Sequence, residues 1–113
     1  MKKILFLTFI VSFFYLLKYN LVMALPIPSF YQGMPYNEAR TKMLELGWQV
    51  PIINNSQDCQ FMQDICKDYP EVNACSETGV SFCLFIFTDA NGKQFKITTA
   101  GRDPLEMVNW RNE

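Results

Sequence analysis

The 113 residues are half hydrophobic and 19% charged, with ten basic and eleven acidic side chains and no histidine. So even a charge balance leaves no basic footprint for nucleic acid. The lack of histidine excludes Ser-His-Asp and Cys-His catalytic sites.

Residues 1–24 read as a secretory signal peptide. Lys2 and Lys3 give the positive start, Ile4 to Leu17 is apolar apart from Thr8 and Ser12, and Val22-Met-Ala24 places modest or small residues at the minus-three and minus-one positions. Cleavage is therefore expected after Ala24. A membrane anchor needs about 20 apolar residues, and Lys18 and Asn20 interrupt this run too early. No stable membrane span is expected after cleavage. Residues 25–113 then form one small domain, with seven basic against eleven acidic residues and a net charge of −4. A domain of that size is marginal without staples.

In the mature chain, Leu25-Pro-Ile-Pro28 cannot be helix interior, because proline fixes its own φ and biases the preceding residue toward extended geometry. Phe30 and Tyr31 follow as a short strand or a crossing of the core, and Gly33 permits a turn. Pro35 to Leu46 carries the clearest helical pattern. Pro35 suits the first position, Glu38 the positive end of the dipole, and Gly47 the left-handed cap. Tyr36, Ala39, Met43 and Leu46 form the apolar stripe, with Leu44 widening it. Trp48, Val50 and Ile52 alternate with Gln49 and Pro51, which predicts a half-buried strand over residues 48–53, either an edge strand or one with its open side at Pro51.

Ser56 can cap a second helix from about Gln57 to Lys67, with Phe61, Met62 and Ile65 on its apolar face and Tyr69-Pro70 stopping it. Val80 to Thr88 is apolar on both faces and predicts a strand covered on both sides. Asp89-Ala-Asn-Gly92 is a hairpin turn, and Gln94 to Thr99 returns with one solvated face. Asp103-Pro104 starts either a short helix, docking Leu105, Val108 and Trp110, or a frayed tail over residues 101–113.

All four cysteines, Cys59, Cys66, Cys75 and Cys83, fall within 25 residues. An even number in a short exported chain predicts two disulfides. Zinc sites use short paired spacings such as C-x2-C, and these cysteines have six, eight and seven residues between them. Seven residues of helix span about 10.5 Å, too far for a disulfide, so a helix from Gln57 to Lys67 would exclude Cys59–Cys66. Of the two remaining connectivities, Cys59–Cys83 with Cys66–Cys75 is favoured, because the Tyr69–Ala74 loop can fold back beside its helix end. The fold class that results is α+β. One amphipathic helix packs on a small, mainly antiparallel three-stranded sheet, with a disulfide-stapled helical insertion.

The run Gly33-Met-Pro-Tyr-Asn-Glu-Ala-Arg-Thr-Lys-Met-Leu-Glu-Leu-Gly47-Trp-Gln-Val50 resembles a PASTA domain. Gly33, Met34, Glu38, Ala39, Met43, Gly47, Trp48 and Val50 fall in register with that family, and the later hairpin continues its order. The resemblance implies a non-enzymatic module of the kind found in bacterial cell-wall kinases and penicillin-binding proteins, linked to peptidoglycan or β-lactam recognition. Residues 54–79 depart from the family, which has a short connection there. The chain is also similar to small uncharacterised exported bacterial proteins with Gly-Trp, Tyr-Pro-Glu and clustered cysteines.

The residues themselves assign no catalytic, cofactor-binding or metal site. Asp64 and Asp68, four apart on a helix, read as a solvated acidic face. Asp89-Ala-Asn-Gly92 lacks the further ligands of a calcium loop. The expected function is an exported, non-enzymatic binding or accessory module, periplasmic or extracellular and cell-wall directed. The alternative is a small secreted inhibitor or envelope accessory that binds protein. Trp48 and Trp110 are the expected binding surface, and peptidoglycan or an envelope protein the expected partner.

Overall fold

The computed structural model describes residues 24–51, 63–76 and 79–112. The first helix, α1 (Tyr36–Glu45), follows the sequence pattern closely at both ends. Pro35, with φ −59°, stands at its N-cap, and the first helical N–H, that of Tyr36, donates to the Leu105 carbonyl at 2.9 Å. At the other end Gly47 takes φ +100°. The N–H of Gly47 donates to the Leu44 carbonyl and that of Trp48 to the Met43 carbonyl, the paired bonds of a Schellman cap. Tyr36, Ala39 and Met43 are buried, whereas Leu44 is 39% exposed and does not widen the stripe.

A short helix, α2 (Gln63–Asp68), is followed by four strands: β1 (Val72–Cys75), β2 (Cys83–Thr88), β3 (Gln94–Ala100) and β4 (Glu106–Asn112). They form an antiparallel sheet in the order β1-β2-β3-β4. The fold is α+β as expected, but with four strands among the described residues rather than three. The β2–β3 hairpin is the one its turn residues predict. Gly92 adopts φ +82°, and the Asp89 carboxylate accepts hydrogen bonds from the N–H groups of Asn91 and Lys93.

The sheet differs from expectation in three places. Residues 48–51 contribute an isolated bridge, Gln49 to Thr88, instead of a strand; Trp48 and Val50 still turn inward while Gln49 is exposed. Residues 52–62, which held the rest of that strand and most of the second expected helix, including Phe61 and Met62, lie outside the described residues. β1 occupies a stretch read as loop. The C-terminal stretch is neither helix nor frayed tail but β4, paired with β3 from Phe95↔Asn112 to Ala100↔Glu106.

A β-bulge explains why β4 mimics a helix. Thr98 pairs with Asn109 and Thr99 with Met107, so Val108 is the extra residue and the apolar period of two slips by one. The spacing of Leu105, Val108 and Trp110 then looks helical.

The core lies between α1 and one face of the sheet. Tyr36, Met43, Phe85, Phe87, Phe95 and Ile97 are at most 1% exposed, and each such aromatic or aliphatic side chain contributes about 1.5–3 kcal/mol through burial. The opposite face of β2 is covered only in part: Ile86 is buried and Leu84 half-buried. Val80 and Phe82, expected to begin the strand, stand in the β1–β2 loop at 59% and 48% exposure. Positive φ at Gly79 and Ser81 turns the chain there.

Cys75 and Cys83 sit opposite one another across β1 and β2 and form a disulfide. This overturns the favoured pairing of Cys59–Cys83 with Cys66–Cys75. Cys66 is also disulfide-bonded; Cys59 lies outside the described residues. The exclusion of Cys59–Cys66 rested on helix from residue 57, and residues 57–62 lie outside the described residues.

Candidate functional site

Around the N-terminal half of α1 the chain assembles a polar cluster inside an aromatic wall. Tyr36 and Arg40 are one helical turn apart and so share a face. Both converge on Glu71, in the connection between α2 and β1. The Tyr36 hydroxyl donates to Glu71 Oε1 at 2.7 Å, and Arg40 Nε donates to the same oxygen at 2.6 Å. The Glu71 side chain is fully buried. Among the described residues its second oxygen, Oε2, has no hydrogen-bond partner. A buried carboxylate is tolerated only with such company, since removing it from water costs several kcal/mol.

The cluster shifts its own titrations. Burial, then the charge and hydrogen bond of Glu71, raise the Tyr36 phenol well above the ordinary tyrosine value. Burial disfavours the Arg40 cation, but the hydrogen bond and charge of Glu71 outweigh it and raise the guanidinium pKa. The guanidinium also lies 5.4 Å over the Tyr69 ring, within cation–π range. Tyr69 and Tyr36 rings lie 5.0 Å apart, and Tyr36 and Phe85 3.9 Å.

Tyr36 and Tyr69 also line a groove of about 600 Å³. Its walls are Asn37 from α1, Asp64, Ile65 and Asp68 from α2, and Arg102, Asp103, Pro104 and Leu105 from the β3–β4 connection. Arg102 Nη2 donates to Asp64 Oδ1 at 3.1 Å, tying α2 to that connection. Burial opposes ionisation of Asp64, but hydrogen bonds from Arg102 and from the Ile65 N–H outweigh it and hold the carboxyl below its ordinary range. The lining offers hydroxyl, amide, carboxylate and guanidinium groups beside apolar patches at Ile65, Pro104 and Leu105. Among the described residues no group of three or more acidic, histidine or cysteine side chains is placed to hold a metal.

The expected binding surface of Trp48 and Trp110 is not at this groove. Trp48 is 3% exposed, its Nε1–H donating to the Pro26 carbonyl at 2.9 Å. Its ring lies 5.7 Å from Phe95. Trp110 is half-buried and meets Phe30, which in turn meets Phe95. The two tryptophans are thus ends of one aromatic string, because a large ring that turns inward is claimed by packing first.

Asp64 and Asp68, read as a solvated acidic face, both reach the groove, and their spacing of four had placed them together. Glu71, Tyr69 and Arg102 carry no such signal. Glu71 meets Arg40 from 31 residues away and Arg102 meets Asp64 from 38, while Tyr69 acts through Arg40 and the Tyr36 ring. Tyr36 and Arg40 had a readable one, their four-residue spacing on α1.

No family model matches the chain, and no curated protein or solved structure matches it. Among the described residues no helix is long and apolar enough to cross a membrane.

Proposed function

We propose that this chain is an exported, non-enzymatic binding module that takes cell-wall material in the groove between α1, α2 and the β3–β4 connection. The groove lining carries this reading: tyrosine side chains beside Asn37, Asp68 and Arg102 are the mixture of apolar face and fixed hydrogen-bonding groups that polyhydroxylated ligands require. The Cys75–Cys83 disulfide supports an oxidising compartment, in keeping with a leader over residues 1–24. The resemblance of Gly33 to Val50 to a PASTA domain points to the same class of ligand. The lack of histidine and the disulfide-bound state of the described cysteines support the non-enzymatic reading.

A second reading, binding to a protein, draws on Val80 and Phe82, exposed on the disulfide-closed β1–β2 loop. One experiment separates the two. Purified protein is pelleted with insoluble peptidoglycan beside Tyr69→Ala and Phe82→Ser variants and an unrelated control. Saturable pelleting that weakens about tenfold or more in Tyr69→Ala, on the scale of losing a central aromatic contact, supports the groove. Pelleting no better than the control overturns the cell-wall reading. Binding that survives Tyr69→Ala and is lost in Phe82→Ser moves the site to the loop.

A further inference from the structure

The segment that follows the expected leader is built into the core. Leu25 is half-buried and packs over Gly47, where an added Cβ would stand 3.3 Å from Leu25 Cδ2. The next residue, Pro26, gives its carbonyl to the indole N–H of buried Trp48. At the far end Phe30 sits 5.9 Å from Phe95 and 5.7 Å from Trp110. Between these anchors Pro26 and Pro28 fix their own φ, so the strap is stiff and extended. Ala24, immediately before it, is exposed.

A peptidase cutting between Ala24 and Leu25 must hold the chain extended on both sides of the bond. Leu25 and Pro26 would have to leave their places on Gly47 and Trp48. Cleavage within a folded protein tracks the population of such a local opening.

We propose that the Ala24–Leu25 bond is a processing site that folding closes, so that leader removal precedes docking of the strap onto the core. The inference rests on the reading of residues 1–24 as an export leader. In the reaction water adds to the Ala24 carbonyl and the C–N bond breaks. Ala24 departs with the new carboxylate and Leu25 keeps the new α-amino group, with no change of oxidation state. The mature N-terminus is then held in place by the same contacts that protect the uncut bond.

The test uses the full chain in detergent micelles with purified signal peptidase. The oxidised, folded precursor is compared with the reduced, unfolded one, and mass spectrometry follows the cut at Ala24–Leu25. The unfolded precursor is cut there, and the folded one about tenfold or more slower. Trp48→Phe, which removes the indole donor and keeps a ring, speeds cleavage of the folded precursor about fivefold, the factor one neutral hydrogen bond is worth. Phe30→Leu loosens the other anchor and gives the same acceleration if Trp48→Phe does not fold. Equal rates for folded and unfolded precursor overturn the closure and leave the leader reading intact. No cut at this bond in the unfolded chain overturns the leader reading and the closure with it.

Discussion

Glu71 is the residue on which the interior near the groove depends. Its Oε1 receives both Tyr36 and Arg40, so either donor's loss leaves a buried carboxylate with half its support. Tyr36→Phe removes the phenol without opening a cavity and is expected to destabilise the fold by about 1–3 kcal/mol, read as a lower urea midpoint. The pH dependence has a definite sign. The Tyr36 phenol is raised in the folded state, so its contribution is complete below the unfolded tyrosine value of about 10 and is lost as pH rises toward the folded value. Wild-type stability therefore falls between about pH 10 and higher pH, and the fall is smaller in Tyr36→Phe. Denaturant midpoints of the two proteins across that range check this directly.

Among the elements, the β1–β2 hairpin shows how a covalent link and a strand register select each other. Cys75 and Cys83 face one another because β1 pairs with β2 in that register, and the link closes a loop with a sequence separation of 8. Replacing both by serine is expected to cost about 2.5 kcal/mol from the loop-closure entropy returned to the unfolded chain, measured by chemical denaturation. Without reductant, the two cysteines left in that variant should stay unlabelled by a thiol reagent, since Cys66 is bonded elsewhere; labelling would show that the pairings exchange. The helix α1 and the β2–β3 hairpin were legible because their signals are local: Pro35 and Gly47 at the helix ends, Asp89 and Gly92 in the turn. β1 and β4 were not. Asn73 and Ala74 are exposed and hold β structure through their partner strand, and the bulge at Val108 breaks the alternation by which β4 would be recognised.

For the whole molecule, the groove exists because three separate parts of the chain meet. The Arg102–Asp64 contact joins two of them, and both side chains are more than half exposed, so its effect is on geometry and titration more than on stability. The Asp64 carboxyl is held low. The contact is therefore present above the unfolded carboxylate value of about 3.9 and lost as pH falls through the lower folded value. In Arg102→Ala the Asp64 carboxyl is expected to titrate at higher pH than in the wild type. A carbon NMR titration of the side-chain carboxyl measures the displacement, and an unchanged midpoint would assign the shift to the Ile65 N–H instead.

By itself the sequence determined the α+β class, the limits of α1, the β2–β3 hairpin and the disulfide chemistry of the described cysteines. The helix limits and the hairpin follow from residues within a few positions of one another, where proline, glycine and hydrophobic period act on the backbone directly. Only the tertiary structure decided that Cys75 bonds Cys83, that Trp48 is core rather than surface, that Glu106–Asn112 is a strand, and that Glu71 is buried under Tyr36 and Arg40. Those outcomes depend on pairings across tens of residues. There the competition for buried area and for hydrogen-bond partners is settled by the assembled sheet and helix.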